Sequence, residues 1–379
     1  MISSESFYNA LRKHEVEFFT GVPDSLLKEF CAYITENVSE EQHILAANEG
    51  GAVGLAVGHH LATGKVPVVY MQNSGLGNTV NPLLSIADED VYSIPMLLVI
   101  GWRGEPGKKD EPQHVKQGKL TIPTLDVLGI EYVVIDSDTQ DIEQCISQLH
   151  RQALQQSKPV AVIVKKGTFS VYEHKTKSKL DTNFGLTRED AIKAIVDTLG
   201  DDDFIVSTTG MASRELFEYR KAKLQAHSND FLTVGGMGHA SQIATGIALS
   251  RPDKNVFCID GDGAALMHLG SLAISAQTGL SNFKHIIINN GAHDSVGGQP
   301  TVCQKVDLSL IAKACGYNML EPVKSPSELK ETMVQLLATD GPVALEVFVD
   351  RGNRKDLGRP TTTPVENKQA FMDKLKGND

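Results

Sequence analysis

Short apolar runs alternate with helical patterns along the first half of the chain. Helical spacing is clearest at residues 50–61 and 141–155. The runs that read as buried strands lie at residues 66–71, 93–100, 132–135 and 159–164. Apolar strands without strict polar alternation, separated by helices, are typical of a parallel sheet covered on both faces. Residues 1–168 are therefore predicted to form an α/β domain.

The second half repeats this pattern after a polar segment. Thr187 and Asp190 have capping-box spacing and predict a helix that extends to Leu199. Strands are predicted at residues 204–207, 231–234, 255–259, 285–289 and 343–349. The pattern gives a second α/β domain over residues 187–355, joined to the first by a linker at 169–186. Residues 356–379 are polar, carry a short helical pattern and read as a peripheral tail.

Composition narrows the functional classes. The 379 residues carry 36 Lys and Arg against 47 Asp and Glu, a net charge of −11, which leaves no general basic surface for nucleic acid. No apolar run approaches the roughly 18 residues of a membrane helix, and the N-terminus lacks a secretory signal pattern. The five cysteines form no CxxC pair, so neither a disulfide framework nor a thiolate zinc site is expected. A cytoplasmic protein with a small-molecule substrate is predicted.

The most informative stretch spans residues 255–293. A strand ends at Asp260, the turn Gly261-Asp262-Gly263 follows, a helix is predicted from about 265 to 278, and a second strand ends at Asn290. The crossover makes the two strands parallel, so Asp262 and Asn290 should lie together at one carboxyl edge. A carboxylate and an amide oxygen suit Mg²⁺ or Ca²⁺ shared with phosphates. Two ordinary turns would give the same pattern.

Other glycine motifs do not fit the chain. A dinucleotide fingerprint that starts at Gly261 would need glycine where Leu266 stands, and one that starts at Gly236 would need glycine where Ser241 stands. The Gly64-Lys65 pair is followed by Val66, which lacks the hydroxyl of a phosphate-binding P-loop. A nicotinamide enzyme and a P-loop nucleotidase are therefore disfavoured.

GDG followed by 25 residues and NN resembles the signature of thiamine diphosphate enzymes. The resemblance implies that Asp262, Asn290 and the carbonyl of Ala292 hold Mg²⁺ against the cofactor diphosphate, beside Gly263 and Ala264. Residues 46–65 resemble the helix of the pyrimidine-binding domain, where Glu49 would hydrogen-bond the aminopyrimidine. Further cofactor contacts implied by resemblance are Gly210, the carbonyl of Gly235, and Met237, which would hold the cofactor bent. Taken alone, Glu49 could be a helix cap and Met237 core filler.

Blocks in both halves are similar to the compact phosphonopyruvate and sulfopyruvate decarboxylases. They lie at residues 20–27, 72–82, 110–114, 208–218 and 289–301. The chain lacks the middle domain of longer relatives, so two thiamine diphosphate-binding domains are implied, pyrimidine-binding at 1–168 and diphosphate-binding at 187–355. The implied reaction decarboxylates 3-phosphonopyruvate to phosphonoacetaldehyde and CO₂, in the biosynthesis of 2-aminoethylphosphonate. Sulfopyruvate or another short 2-oxo acid stays open as the substrate, and a noncatalytic cofactor-binding protein is the alternative of another class.

The same resemblance implies an assembly and a set of substrate contacts. Glu49 and Asp262 of one active site would come from different subunits, so a homodimer or larger homo-oligomer is expected. His114 and His293 are candidates for proton transfer, because an unperturbed imidazole titrates near neutral pH. The predicted polar lining of the substrate pocket is Asp24, Ser25, Asn73, Gln113, His114, Asp294 and Ser295.

Overall fold

The computed structural model describes residues 1–173 and 183–377, which fall into two compact units, residues 1–179 and 180–379. Positions 174–182 of the predicted linker and the last two residues of the predicted tail lie outside the described residues. Each unit is built on one six-stranded parallel sheet flanked by helices, which confirms the predicted fold class. Within the described ranges, no helix combines the length and apolar character needed to cross a bilayer.

In its described residues, 1–173, unit 1 contains six strands and six α-helices. The strands are β1 (Phe19–Gly21), β2 (His43–Leu45), β3 (Val68–Gln72), β4 (Leu97–Gly101), β5 (Glu131–Ile135) and β6 (Val160–Val164). The helices are α1 (Ser4–Arg12), α2 (Lys28–Asn37), α3 (Glu49–Thr63), α4 (Leu76–Pro82), α5 (Pro112–Val127) and α6 (Ile142–Gln156). The strand order is β2-β1-β3-β4-β6-β5, with every neighbouring pair parallel.

Unit 2 contains six further strands. They are β7 (Phe204–Ser207), β8 (Asp230–Leu232), β9 (Val256–Gly261), β10 (Phe283–Asn289), β11 (Asn318–Met319) and β12 (Val343–Phe348). The helices are α7 (Arg188–Thr198), α8 (Met211–Ala222), α9 (Ala240–Ser250), α10 (Asp262–Met267), α11 (Gly270–Gln277), α12 (Leu308–Cys315), α13 (Pro326–Ala338) and α14 (Pro364–Lys376). The order β11-β12-β10-β9-β7-β8, read from β8, repeats the order of unit 1 strand for strand. The two halves therefore share one topology.

The predicted helix at 265–278 differs from the structure in two ways. It begins at Asp262 rather than at 265, and it is divided into α10 and α11. His268 ends α10 with φ −130° and ψ 54°, outside the helical region. A Cβ on Gly238 would lie 2.7 Å from Cδ2 of His268, so the turn that precedes α9 packs directly on this break. Contact with another segment thus overrides the local helical pattern.

The C-terminal helix α14 covers the edge strand β8. Asn367 Oδ1 accepts a hydrogen bond from the Leu232 amide at 3.0 Å, and its Nδ2 donates to the Asp230 carbonyl at 2.8 Å. Phe371 is buried against the rings of Phe204 and Phe231. The side chain of Asn367 thus replaces a neighbouring strand at the sheet edge. This segment is part of the packed domain and not a peripheral tail.

Candidate active site

The two strands that precede the predicted metal ligands are neighbours. β9 and β10 pair in parallel, with Ile287 opposite Asp260 and Ile288 opposite Gly261. Asp262 is the first residue of α10, directly after β9, and Asn290 follows β10. The carboxyl ends of parallel strands open at the same edge of a sheet. The structure therefore places both residues at this edge of unit 2, as predicted.

The carboxylate of Asp262 is buried. The residue is 3% exposed, and the Thr301 hydroxyl donates a hydrogen bond to its Oδ2. Desolvation by burial raises the pKa of Asp262 to about 6. Among residues 1–173 and 183–377 no lysine, arginine or histidine forms an ion pair with it. A buried carboxylate in this state suits a bound divalent cation.

Asn290 and Ala292 provide further oxygen atoms on the next turn. Asn290 Oδ1 accepts a hydrogen bond from the Ala292 amide at 3.0 Å, and Nδ2 donates to Asp294 Oδ2 at 2.7 Å. Asn290 and Ala292 are both buried, at 7% exposure each. With Asp262 they offer a carboxylate, an amide oxygen and a main-chain carbonyl. This donor set fits Mg²⁺, a hard cation that prefers oxygen ligands.

Glycines allow neighbouring loops to approach this edge. A Cβ on Gly263 would lie 2.9 Å from Cε1 of His293, so only glycine leaves room for that ring. Gly210 precedes α8 with φ +97°, and a Cβ there would lie 3.7 Å from Cβ of Ser295. The loops after β7, β9 and β10 thus meet within unit 2. Gly263 thus lies beside His293, and Gly210 beside Ser295.

The turn that carries Met237 packs against α10, the helix that begins at Asp262. Gly236 and Gly238 have φ of +66° and +84°, and a Cβ on Gly238 would lie 3.1 Å from the Ala264 carbonyl. Met237 lies between them and is half-buried. The turn from Gly235 to Gly238 is therefore held beside the start of α10. A half-buried methionine at this place is available to contact a bound cofactor.

In unit 1, Glu49 is the first residue of α3 and is buried, at 5% exposure. The cap of this helix is Asn48, whose side chain accepts a hydrogen bond from the Gly50 amide at 2.8 Å. Glu49 therefore does not serve as the cap. Its Oε2 accepts a hydrogen bond from Asn78 Nδ2 at 2.7 Å, which orients the carboxylate.

Two predicted substrate contacts are buried within the loops of unit 1. Asp24 is fully buried and accepts hydrogen bonds from Gln72 Nε2 at 2.6 Å and from the Leu26 amide at 2.9 Å. Burial raises the pKa of its carboxyl. Asn73 is 2% exposed and donates from Nδ2 to the Arg103 carbonyl at 2.8 Å. Both side chains are thus held by contacts within these loops, and their role as substrate contacts stays a prediction.

Arg103, Gln113 and His114 are further polar residues of the loops of unit 1. Arg103 Nη1 donates to Ser25 Oγ at 2.9 Å, and its Nε donates to Asp110 Oδ2 at 2.9 Å. Nδ1 of His114 and Oε1 of Gln113 are buried and have no hydrogen-bond partner within the described ranges. Of the predicted pocket residues in unit 1, Gln113 and His114 therefore each carry a buried polar atom without a partner in the described part of the chain.

The two candidate histidines do not titrate near neutral pH. Burial, with the nearby Arg103 guanidinium, lowers the pKa of His114 to about 4. Burial also lowers the pKa of His293 to about 4, against a smaller opposing effect of Asp294. The expectation that either imidazole keeps an ordinary pKa is therefore wrong. Both rings are neutral at pH 7 and can act there as neutral donors or acceptors.

The sequence interpretation missed a second polar group in unit 2. Cys258, Asp260 and His285 are buried on β9 and β10, with ligand-type atoms within 4.8 Å of one another. Oδ2 of Asp260 faces Nε2 of His285 at 3.5 Å. Burial raises the pKa of the Cys258 thiol well above its usual range, so the thiol is protonated and a poor metal ligand. The arrangement is an Asp–His pair across two strands.

Comparisons with known proteins agree with this geometry. The family described as "Thiamine pyrophosphate enzyme, N-terminal TPP binding domain" matches residues 1–125, and its C-terminal TPP binding domain counterpart matches residues 208–347. The chain is 32% identical to a phosphonopyruvate decarboxylase of Streptomyces viridochromogenes, over 98% of this chain and 94% of that protein. It is 33% identical to a phosphonopyruvate decarboxylase of Streptomyces hygroscopicus, over the same shares.

A third relative is a sulfopyruvate decarboxylase of Methanosarcina acetivorans, 27% identical over 98% of this chain and 97% of that protein. The matches extend over nearly the whole length of each of these relatives. Both thiamine pyrophosphate domains are matched, and the donor set at Asp262 and Asn290 fits Mg²⁺. The chain belongs to the thiamine pyrophosphate-dependent decarboxylases, in the family that contains the phosphonopyruvate decarboxylases.

Proposed function

We propose that this protein decarboxylates 3-phosphonopyruvate to phosphonoacetaldehyde and CO₂, using thiamine pyrophosphate and Mg²⁺, as a step of phosphonate (2-aminoethylphosphonate) biosynthesis. The observation that carries the proposal is the 32–33% identity over 98% of the chain to two proteins named for this reaction. The retention of Glu49, Asp262 and Asn290 supports it, because a noncatalytic binder would not need the acid at position 49.

The protein's task in such a reaction is to bind, orient and manage charge. Thiamine pyrophosphate, when bound, supplies the electron sink that decarboxylation of a 2-oxo acid requires. Asp262 Oδ, Asn290 Oδ1 and the Ala292 carbonyl would hold Mg²⁺ and through it the pyrophosphate. The buried Glu49 carboxylate would hold a proton at the aminopyrimidine ring. Met237 and the Gly235 carbonyl would orient that ring.

Substrate recognition is assigned to the loop cluster of unit 1. The Arg103 side chain is 19% exposed, and Gln113 and His114 carry buried polar atoms without partners in the described part of the chain. A guanidinium beside neutral donors suits a ligand that carries a carboxylate and a phosphonate. Neutral His114 would donate or accept a hydrogen bond there. Ser25 and Ser295 are further candidates for polar contact.

Steady-state CO₂ release with phosphonopyruvate and sulfopyruvate tests the substrate. We expect the larger kcat/KM with phosphonopyruvate. A larger kcat/KM with sulfopyruvate would overturn this choice of substrate in favour of sulfopyruvate, the substrate for which the Methanosarcina acetivorans relative is named. Glu49→Gln tests the catalytic class. The variant is expected to bind cofactor and lose most activity, whereas absence of CO₂ release from any 2-oxo acid by the wild type would support a noncatalytic protein.

A homodimer or larger homo-oligomer is part of the proposal, with Glu49 and Asp262 of one site supplied by different subunits. Mixing inactive Glu49→Gln and Asp262→Asn chains tests it. Shared sites would restore about a quarter of the activity, because half of the random dimers are mixed and each has one intact site. Sites within one chain would restore none. We also propose a cytoplasmic location, since all five cysteines are free.

A further inference from the structure

Asp294 lies at the centre of a group of charged and polar atoms that contact the turn carrying Asn290. Its Oδ2 accepts hydrogen bonds from Asn290 Nδ2 at 2.7 Å, Arg188 Nη1 at 3.0 Å and the Gly352 amide at 3.0 Å. The Asp294 side chain is 10% exposed. Three donors therefore converge on this one carboxylate oxygen, which is held by protein contacts.

The arginine that reaches Asp294 is itself fixed. Arg188 is the first residue of α7, and its side chain is 9% exposed. Its Nε donates to Glu215 Oε2 at 2.8 Å and its Nη2 donates to Glu215 Oε1 at 3.0 Å. This two-pronged pairing fixes the plane of the guanidinium and leaves Nη1 for Asp294.

The main chain of the same turn is held by a second arginine. Arg351 Nε donates to the Asn290 carbonyl at 3.3 Å, and its Nη2 donates to the Gly291 carbonyl at 2.7 Å. Arg351 and Gly352 follow β12, whose last residue pairs with Asn289 of β10. The segment after β12 therefore holds the turn after β10 in place. Asp294 therefore holds the side chain of Asn290, and Arg351 holds its main chain.

The Asp294 oxygen that faces Asn290 accepts hydrogen bonds from Arg188 and the Gly352 amide, so it meets Asn290 as an acceptor. The amide nitrogen of Asn290 must therefore face Asp294, and its oxygen must face the other way, where the Ala292 amide donates to it. We propose that Asp294, held by Arg188 and Glu215, is a positioning residue that fixes the Asn290 amide with its oxygen available to the divalent cation. This inference rests on the metal site of the proposed function. The role differs from the substrate contact that the sequence predicts for Asp294.

Asp294→Asn tests the inference because it keeps the size of the side chain and removes its charge. The asparagine oxygen still faces the three donors, but without the negative charge the hydrogen bonds from Asn290 and Arg188 weaken, so the Asn290 amide is held less firmly. The probe is Mn²⁺, titrated in the presence of thiamine pyrophosphate and followed by the electron paramagnetic resonance of the free ion. We expect the Kd for Mn²⁺ to rise about 10–100-fold, with kcat largely restored at saturating metal and KM for the 2-oxo acid unchanged.

Asp253→Asn is the matched control, since it breaks an arginine–aspartate pair of the same kind on the surface of the same unit. It should leave the Kd for Mn²⁺ unchanged. A raised KM for the 2-oxo acid in Asp294→Asn, with unchanged Mn²⁺ affinity, would overturn the inference in favour of substrate contact. A lowered Tm with unchanged Mn²⁺ affinity would overturn it in favour of a purely structural role.

Two further outcomes separate this inference from the proposed function. A wild-type protein that binds no Mn²⁺ overturns the metal site itself, whereas wild type and Asp294→Asn that bind equally well overturn the inference alone. Should Asp294→Asn fail to fold, Glu215→Gln releases Arg188 while Asp294 and Asn290 stay in place. This variant is expected to raise the Kd for Mn²⁺ several-fold, and an unchanged Kd in the folded variant contradicts the role of Arg188.

Discussion

The side chain of Glu49 fills the space in front of Gly75. A Cβ at position 75 would lie 2.5 Å from Oε1 of Glu49 and 2.7 Å from its Cδ and Cγ. Gly75 has a negative φ of −72°, so its need for glycine comes from this approach and not from the backbone. The acid that opens α3 and the turn after β3 are therefore fitted to each other.

Gly75→Ala is expected to displace the Glu49 carboxylate and to lower kcat/KM on the order of 100-fold, because misplacing a reacting group by about 1 Å has this cost. The measurement is steady-state CO₂ release. Gly77→Ala is the matched control, since a Cβ there meets no atom within 4 Å and the residue lies in the helix α4. Equal loss in both variants would show that the clash with Glu49 is not responsible.

Metal binding should depend on pH through Asp262. Burial raises the pKa of this carboxyl to about 6, above its value in the unfolded chain. Without metal, the protonated Asp262 carboxyl therefore stabilises the folded state, and this contribution is fully present below about pH 4. It amounts to about 3 kcal/mol of the free energy of unfolding and is lost as the pH rises through 6. Mg²⁺ needs the ionised form and competes with the proton below pH 6.

We therefore expect the rise in Tm caused by Mg²⁺ with thiamine pyrophosphate to be much smaller at pH 5 than at pH 7.5. Differential scanning fluorimetry measures it. Asp262→Asn should lose the metal-dependent rise at both values. A rise of equal size at pH 5 and pH 7.5 in the wild type would contradict the role assigned to Asp262.

His114 and His293 should stay neutral across the physiological pH range. Burial is the main reason that the pKa of each imidazole lies at about 4, so protonation of either ring opposes folding only as pH falls below 6. Nitrogen-15 NMR of labelled imidazoles measures the two midpoints, with His114→Gln and His293→Gln as assignment variants. A midpoint near 6.5 for either residue would be incompatible with the burial described here.

Asn367 should contribute to stability without affecting catalysis. Asn367→Ala leaves the Leu232 amide and the Asp230 carbonyl without their partner. We expect the free energy of unfolding to fall by about 1–3 kcal/mol for each of these buried groups. Urea unfolding of unit 2 is the measurement, with kcat expected to stay unchanged. Gln369→Ala on the exposed face of the same helix is the control and should leave the free energy of unfolding nearly constant. Comparable loss in both variants would contradict the edge-capping role.

The sequence predicts the central strands well because they are apolar on both faces. The run at 204–207 coincides with β7, and the βαβ pattern places Asp262 and Asn290 directly after two adjacent strands. β1, β2 and β11 are not predicted, because two or three residues carry no usable periodicity. The break between α10 and α11 depends on the turn at Gly238, a contact that no local pattern reveals.

Residue chemistry identifies Asp262, and family resemblance identifies Glu49. Neither identifies what surrounds them. Arg188 and Glu215 are 27 positions apart, and each reads as an ordinary surface charge until folding buries the pair. The burial of Asp24 likewise cannot be read from the sequence. The state of a side chain depends on long-range packing, so burial, pKa and amide orientation require the structure.

Calorimetric titration of thiamine pyrophosphate into the Mg²⁺-supplemented protein tests the central claim most directly. The account predicts saturable binding at one site per chain, abolished by EDTA and strongly weakened in Asp262→Asn. A folded wild-type protein that takes up no thiamine pyrophosphate in the presence of Mg²⁺ would contradict the claim that Asp262 and Asn290 form a cofactor-anchoring metal site.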